Sequence, residues 1–325
     1  MELYPWQREQ WQRLVPRLRD KTLPHALLLT GIPGLGKNHF ARRLANSLIC
    51  EQRNTDEMAC GGCRNCQLFC AGTHADVHII QPLEAGKSIG IDQVRDLQQA
   101  VNLRTQGHYK VVIITPAEKL PHNAANALLK TLEEPAGNAV IMLVTHRLAS
   151  LPLTVRSRCQ RIVFNPPSEE VALGWLKGRD EDEAVLASAL AMTDGAPLAA
   201  VELMHSELAA VRQRVLNDMD SLLNGRADPV AMAESWCKRD AKSSLHWLQR
   251  MAIDLVRLGT CSSPPLLYNK DAQKGLQEIA NRIDLTRLHH LCAKVNEALR
   301  LSESSVNAQL LVEDVLITFK TAGVR

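Results

Sequence analysis

The sequence predicts an α/β domain built on a parallel sheet, followed by a region made only of helices. In the first half, short runs of Val, Ile and Leu alternate with stretches of helical periodicity. Such alternation is typical of a parallel sheet covered by helices. The segment Asn165-Pro166-Pro167 is the clearest linker, and beyond it the apolar residues follow helical periods alone.

The apolar runs predict the strands in chain order. They lie at residues 25–30, 76–81, 110–114, 139–145 and 160–164. Helices are predicted between them at residues 37–49, 91–103 and 123–132. Pro135 is expected to stop the last of these helices, because proline cannot continue a helical hydrogen-bond pattern.

Helical periodicity continues after the linker, with a break at Asp194-Gly195-Ala196-Pro197. Farther along, several apolar residues share one helical face. These residues are Leu285, Leu288, Leu291, Cys292, Val295 and Leu299. Such a stripe predicts a surface for association with other subunits, and its more common alternative is an internal core.

The composition is that of a globular protein, with 46% hydrophobic and 22% charged residues. The net charge of +3 is too small to indicate a dedicated nucleic-acid-binding protein. Residues 1–11 lack the apolar core of a signal peptide, and no run approaches 18 apolar residues. We therefore expect a cytoplasmic protein without a membrane span.

A phosphate-loop-like run, Gly31-Ile32-Pro33-Gly34-Leu35-Gly36-Lys37-Asn38, follows the first predicted strand. Gly31, Gly34 and Gly36 let backbone N–H groups close on phosphate oxygens at a helix N-terminus, and Lys37 would neutralise their charge. Asn38 replaces the hydroxyl residue that binds magnesium in such loops. We expect weak nucleotide binding or none, and a glycine-rich turn without a ligand is the alternative.

The strand at residues 110–114 is followed by Thr115 and Pro116. In ATPases with a phosphate loop this strand ends in Asp-Glu, because the Asp holds magnesium and the Glu orients the attacking water. Neither Thr115 nor Pro116 can do either task. The sequence therefore predicts a domain built like an ATPase that does not hydrolyse ATP.

Five of the nine cysteines lie between residues 50 and 70. Two residues separate Cys60 from Cys63, and two separate Cys63 from Cys66, as in zinc sites. A fourth ligand is needed, and Cys50 and Cys70 both qualify. Four thiolates leave no open coordination position, so the predicted zinc is structural. Isolated Cys159, Cys237, Cys261 and Cys292 are expected to be small buried apolar residues.

The run from Cys60 to Cys70 also matches a ferredoxin spacing. Ala71 stands where that motif ends in proline, and no second cysteine run would hold a partner cluster. Zinc is therefore favoured over an iron–sulfur cluster and over unligated thiols.

Ser157-Arg158-Cys159 forms a predicted turn before the last strand. Arginine is well suited to stabilise phosphate charge supplied by a neighbouring molecule. A lone arginine more commonly forms a surface ion pair, so the surrounding motifs must decide its role.

Those motifs resemble the clamp-loader family of bacterial DNA polymerase III. The resemblance rests first on the run Asn126-Ala127-Leu128-Leu129-Lys130-Thr131-Leu132-Glu133-Glu134-Pro135, which is followed by Ser157-Arg158-Cys159. It rests also on Thr115-Pro116 in place of Asp-Glu and on the cysteine insert. The segments Tyr4-Pro5-Trp6, His25-Ala26-Leu27-Leu28 and Ala71-Gly72-Thr73-His74 fit the same family. These motifs cover residues 1 to about 165, and beyond Pro167 the resemblance is one of helical layout.

The resemblance implies an AAA+ core at residues 1–166 with a zinc insert at 50–72, a helical lid at 167–207 and a helical collar at 208–325. It also implies a hetero-oligomer with gamma/tau and delta subunits that loads the beta sliding clamp onto primed DNA. The chain would be a non-hydrolysing component of the DNA polymerase III holoenzyme, without catalytic activity of its own.

Residue by residue, the ATPases of the family have a hydroxyl residue, an Asp-Glu pair and a sensor arginine where this chain has Asn38, Thr115-Pro116 and Leu198. Arg158 matches the arginine finger that acts on ATP held by an adjacent subunit. Cys50, Cys60, Cys63 and Cys66 match the zinc ligands of the family, which leaves Cys70 unassigned.

Two other functions compete with this interpretation. An active gamma/tau-type ATPase is disfavoured by Thr115 and Pro116. A zinc module that binds nucleic acid is disfavoured because Arg53 and Arg64 are the only Lys or Arg residues of the insert.

Overall fold

The computed structural model describes residues 2–84, 87–102, 105, 107–135, 137–177, 183–205, 208–261, 263–302 and 306–323. The chain packs into two compact units, Met1–Val171 and Ala172–Arg325. Each has a hydrophobic core of its own. The division of the second half into a lid and a collar stays a prediction.

A five-stranded parallel sheet organises the first unit. Its strands are β1 (Ala26–Thr30), β2 (Val77–Ile80), β3 (Lys110–Ile114), β4 (Ala139–Thr145) and β5 (Gln160–Val163). Their spatial order is β2-β3-β4-β1-β5. The three central strands are buried along their whole length and the two edge strands are partly exposed. Full burial explains their unbroken apolar sequences.

Helices surround this sheet. They are α1 (Arg8–Arg19), α2 (Lys37–Ile49), α3 (Arg64–Cys70), α4 (Ile91–Asn102), α5 (His122–Glu133) and α6 (Leu153–Arg156). The sequence predicted α2, α4 and α5 closely but missed α1 and α3. Helix α5 ends at Glu133 because Glu134, which precedes Pro135, has a non-helical backbone (φ −133°, ψ 76°).

Alternate residues of each central strand face opposite sides of the sheet. Ala26 and Leu28 of β1 pack in the cluster that also contains buried residues of α4 and α5. On α2, the fully buried Phe40 makes edge-on contacts with Trp11 of α1 and with Phe164, with ring centroids 5.8 and 5.0 Å apart. Helix α1 is therefore fixed by the packing of Trp11 against α2.

The rest of the described chain is helical, as expected. Its helices are α7 (Glu169–Leu176), α8 (Glu183–Met192), α9 (Pro197–His205), α10 (Leu208–Leu223), α11 (Pro229–Arg239), α12 (Ala241–Thr260), α13 (Gln273–Arg282), α14 (Leu285–Leu301) and α15 (Ala308–Ala322). A parallel sheet with flanking helices followed by an all-helical region confirms the predicted fold class. The strand order and the loop after β1 agree with the AAA+ core that the resemblance implies.

The apolar stripe on α14 belongs to the core of the second unit. Leu288, Leu291 and Val295 are fully buried in it, whereas Leu285 is 38% exposed. The expectation that this stripe forms an association surface is therefore wrong for its central residues, because helices of the same chain already cover them.

Within the described ranges, no single helix has the length and hydropathy needed to cross a membrane. The segments Val185–Met192 and Pro197–His205 reach that length only when counted together across a bend of 112°.

Phe40→Ala tests the packing of α2 on the sheet. Removing a fully buried ring should lower the free energy of unfolding of the first unit by about 3–5 kcal/mol. Urea denaturation of the whole chain followed by circular dichroism measures this loss. Leu83→Ala is the control, because that side chain is 86% exposed and its loss should change little. Equal stability of the two variants would contradict the packing described.

Candidate functional site

The phosphate-loop-like turn joins the end of β1 to the start of α2. Gly34 and Gly36 have positive φ angles of 78° and 75°, which glycine adopts without strain. A side chain at Gly36 would lie 2.7 Å from atoms of both Gln7 and Tyr4, and one at Gly31 would lie 2.3 Å from the carbonyl oxygen of Phe164. These glycines are therefore required by packing within the chain itself.

Lys37, the first residue of α2, turns back onto the loop. Its side chain is buried, and Nζ donates hydrogen bonds to the carbonyl oxygens of Gly31 and Ile32, both at 2.6 Å. Burial lowers the pKa of Lys37 to about 8, against the opposing effect of Glu118. The ammonium group thus satisfies the carbonyls of its own loop.

His146, just after β4, is the third partner of Lys37, with Nδ1 at 2.9 Å from Nζ. Partial desolvation, with the nearby Lys37 charge, lowers the pKa of His146. A neutral ring with an unprotonated Nδ1 can accept this bond. The backbone N–H of His146 donates to both carboxylate oxygens of Glu118, at 3.2 and 3.3 Å. Sequence reasoning missed His146 and Glu118, which lie far from Lys37 along the chain.

The residues at the end of β3 line a cavity of about 310 Å³ beside the loop. Asn38, Thr115 and Pro116 are part of its wall, so the structure brings together three of the four positions at which the resemblance implies a replaced ATPase residue; Leu198 is not part of this wall. Among the described residues of the wall, Glu84 is the one carboxylate, and its Oε2 lies 2.7 Å from Nζ of Lys87. Among these residues, no acid stands at Thr115 or Pro116, where an ATPase has its magnesium-binding acid and its water-orienting acid.

The N-terminal segment packs on the same loop. Trp6 Nε1 and Gln7 Nε2 both donate to the carbonyl oxygen of Leu35 at 3.0 Å, and Gln7 Nε2 also donates to that of Gly36 at 2.9 Å. The ring of Tyr4 stacks on that of Trp6 with centroids 5.0 Å apart. The loop is thus held in shape by protein groups on several sides.

The structure brings four cysteines together. The Sγ atoms of Cys50, Cys60, Cys63 and Cys66 all lie within 4.8 Å of one another. The Cys50 sulfur is 3.6 Å from that of Cys60 and 4.0 Å from that of Cys63. Zinc–thiolate bonds of about 2.3 Å place tetrahedral sulfurs roughly 3.8 Å apart, so these residues fit a metal ion.

Local structure explains this arrangement. Cys50 follows the last turn of α2, Gly61 turns the chain with a φ of 76°, and Cys66 lies in the first turn of α3. Asn65 links the two helices, because its Nδ2 donates to the carbonyl oxygen of Ile49 at 3.0 Å. Cys70 ends α3 as an exposed thiol outside the group.

The thiols of the group differ in acidity. Backbone N–H groups of Cys63 and Gly62 lower the pKa of Cys60 to about 7. Burial raises the pKa of Cys50 and of Cys66. The backbone N–H of Cys60 also donates to the Cys50 sulfur at 3.3 Å, and such contacts support sulfur that carries negative charge.

Arg158 lies on the turn between α6 and β5. Its Nη1 donates to the carbonyl oxygen of Thr154 at 2.8 Å, its Nε donates to Oε1 of Glu133, and its Nη2 forms an ion pair with the same oxygen. Partly buried Cys159 packs beneath the turn, and burial raises the pKa of its thiol to about 11. The sequence predicted the turn but gave no sign of the contact with Glu133.

The turn and the phosphate-loop-like segment lie at opposite ends of the sheet. β5 runs parallel to β1, with Gln160 beside Leu27 and Val163 beside Thr30. Arg158 precedes the start of β5, whereas the loop follows the end of β1. β5, from Gln160 to Val163, alone spans about 10 Å. Arg158 therefore does not share a site with Lys37 of the same chain.

Comparison with known proteins agrees with these features. Residues 6–168 match the family described as DNA polymerase III, delta subunit, and residues 206–321 match the family described as its C-terminal part. The DNA polymerase III subunit delta' of Pseudomonas aeruginosa is 34% identical over 321 residues, which cover 97% of each chain. The Escherichia coli protein of the same name is 32% identical over 98% of this chain and 95% of its own.

Among solved structures, a DNA polymerase III gamma subunit-related protein from Thermotoga maritima matches 98% of this chain and 100% of its own, with 20% identity and a TM-score of 0.44. The full-length matches in sequence carry the assignment. The chain belongs to the delta' family of DNA polymerase III clamp-loader subunits.

Proposed function

We propose that this clamp-loader subunit does not hydrolyse ATP and instead lends Arg158 to ATP held by an adjacent subunit. The complex would contain gamma/tau and delta subunits, and it would place the beta sliding clamp on primed DNA. The observation that carries this proposal is the position of Arg158 at the end of the sheet opposite the loop of its own chain. An arginine in that position is remote from the loop of its own chain and is available to a site on another molecule.

The state of the loop supports the absence of hydrolysis. Lys37 is engaged by carbonyl oxygens and by His146, and ATP would have to displace these contacts. Glu118, the first acid after β3 in the sequence, accepts hydrogen bonds from the backbone N–H of His146. These observations count against an active gamma/tau-type ATPase.

The isolated chain should show no ATPase activity above background in a malachite-green assay, because no acid stands at Thr115 or Pro116.

Lys37→Ala should leave clamp loading by a reconstituted complex nearly intact. The same variant should lower the free energy of unfolding by about 1 kcal/mol, because two partly buried carbonyl groups lose their donor. A large loss of clamp loading in a stably folded Lys37→Ala complex would mean that the loop binds a nucleotide that clamp loading requires.

We further infer that the four-cysteine group holds one structural zinc ion. Zinc prefers four thiolates in tetrahedral geometry, and a closed set of this kind leaves no position for substrate. The ion would supply folding energy to the insert, whose chain is otherwise joined to α2 by few buried residues. The insert supports nucleic-acid binding poorly, because Arg53 is paired with Glu57 at 3.0 Å and Arg64 is its remaining basic residue.

The purified chain should contain about one zinc ion, measured by plasma mass spectrometry, because the four sulfurs form one tetrahedral set. Cys63→Ser should lose the metal and lower the melting temperature, whereas the control Cys70→Ser should keep both. If Cys50→Ser kept the zinc and Cys70→Ser lost it, the fourth ligand would be Cys70 and not Cys50. Iron with acid-labile sulfide would overturn the identity of the metal.

Arg158→Ala tests whether Arg158 acts on ATP held by an adjacent subunit. Arginine fingers in phosphoryl-transfer systems contribute on the order of 10³ or more in rate. If several ATP sites operate in one complex and one of them loses its finger, the measured drop should be smaller. The reconstituted complex should assemble normally, with slower clamp- and DNA-stimulated ATP hydrolysis and slower loading.

Arg156→Ala is the matched control, since Arg156 ends α6 two residues before Arg158. Unchanged rates in Arg158→Ala combined with reduced rates in Arg156→Ala would show that the finger is misassigned. If both variants hydrolysed ATP and loaded the clamp at unchanged rates, the role of this subunit would be structural only.

A further inference from the structure

Glu133 holds one edge of the Arg158 guanidinium group. Its Oε1 accepts a hydrogen bond from Nε and forms an ion pair with Nη2, while Nη1 donates to the carbonyl oxygen of Thr154 at 2.8 Å. Glu133 is the last residue of α5 and Thr154 lies within α6. Two helices of the sheet domain therefore fix the orientation of this side chain.

The remaining donors of Arg158 are suited to a phosphate group. A guanidinium group has five N–H donors, one on Nε and two on each terminal nitrogen. Within the part of the chain that the structure describes, hydrogen bonds to Glu133 and Thr154 use the N–H of Nε and one N–H of Nη1, and Nη2 lies in an ion pair with the same Glu133 oxygen. At least one N–H therefore remains on each terminal nitrogen, and such donors bind phosphate oxygens well.

The ion pair between Arg158 and Glu133 is accessible to another molecule. The side chain of Arg158 is 34% exposed and that of Glu133 is 47% exposed. An ion pair this exposed adds little to the stability of the fold. Its physical effect is on orientation, because a long arginine side chain loses conformational entropy when it is fixed, and Glu133 fixes it before the neighbour binds.

We propose that Glu133 is a positioning residue that orients Arg158 toward the phosphates of ATP bound by the neighbouring subunit. This inference rests on the proposed action of Arg158 on that ATP. Glu133 does not touch the nucleotide and acts only through the arginine. Its removal should therefore affect the transition state and leave ATP binding to the neighbour unchanged.

The test uses the reconstituted complex with its clamp and primed DNA. Glu133→Ala should lower the stimulated kcat for ATP by on the order of two- to tenfold, and by no more than Arg158→Ala does. The KM for ATP should not change. Glu133→Gln should recover most of the rate, because the amide oxygen still accepts a hydrogen bond from the arginine.

Glu134→Ala is the matched control, since Glu134 is the exposed next residue and lies outside the Arg158 contacts described. Both alanine variants should have the same melting temperature and assemble equally. In an Arg158→Ala background, Glu133→Ala should cause no further loss, because its effect passes through the arginine.

The outcomes separate this inference from the proposed function. If Arg158→Ala slows hydrolysis and Glu133→Ala leaves it unchanged or faster, the arginine finger stands and the positioning role is overturned. A further loss on adding Glu133→Ala to Arg158→Ala would also overturn it, because Glu133 would then act by another route. If Arg158→Ala itself has no effect, both proposals fail.

Discussion

The direction of the parallel sheet is the constraint on which the rest of the functional geometry depends. Because all five strands run the same way, the loops that follow them lie at one end and the turns that precede them lie at the other. The phosphate-loop-like turn follows β1, and Arg158 precedes β5, its neighbour in the sheet. The loop and Arg158 of one chain therefore lie at opposite ends of the same two strands.

The loop keeps the shape of a phosphate-binding turn, and its polar groups bond to other groups of the chain. Buried carbonyl groups need donors, and Lys37, Trp6 and Gln7 supply them from within the chain. Glycine at position 31 is required by the close approach of Phe164, and at position 36 by Tyr4 and Gln7. The glycines at these two positions therefore have a packing explanation that does not depend on nucleotide.

The cysteine insert obeys a different constraint. A short segment buries little apolar surface, so few contacts oppose its conformational entropy. Phe69 and Cys66 are its main buried side chains beyond Cys50, and Arg42 of α2 lies 5.8 Å from the ring centroid of Phe69. Four convergent sulfurs are the feature of this segment best able to fix its conformation through a bound ion.

The sequence by itself determined the elements whose signals are local. The central strands, α2 and α5 follow from unbroken apolar runs, glycine and Pro135, and the replaced residues Thr115 and Pro116 are visible without coordinates. The spacing of Cys60, Cys63 and Cys66 likewise predicted a metal site from adjacent residues. The pattern could not choose between Cys50 and Cys70, and the tertiary structure brings Cys50 to the group.

Contacts between distant residues were decided only by the tertiary structure. Lys37 meets His146 and Arg158 meets Glu133 because strand pairing and helix packing bring separate parts of the chain together. The stripe on α14 looked like a free face because periodicity reports which residues share a side of a helix and not what covers that side. Its burial depends on the other helices of the second unit. Sequence periodicity thus fixes local form, whereas the partner of each face and of each charge depends on three-dimensional packing.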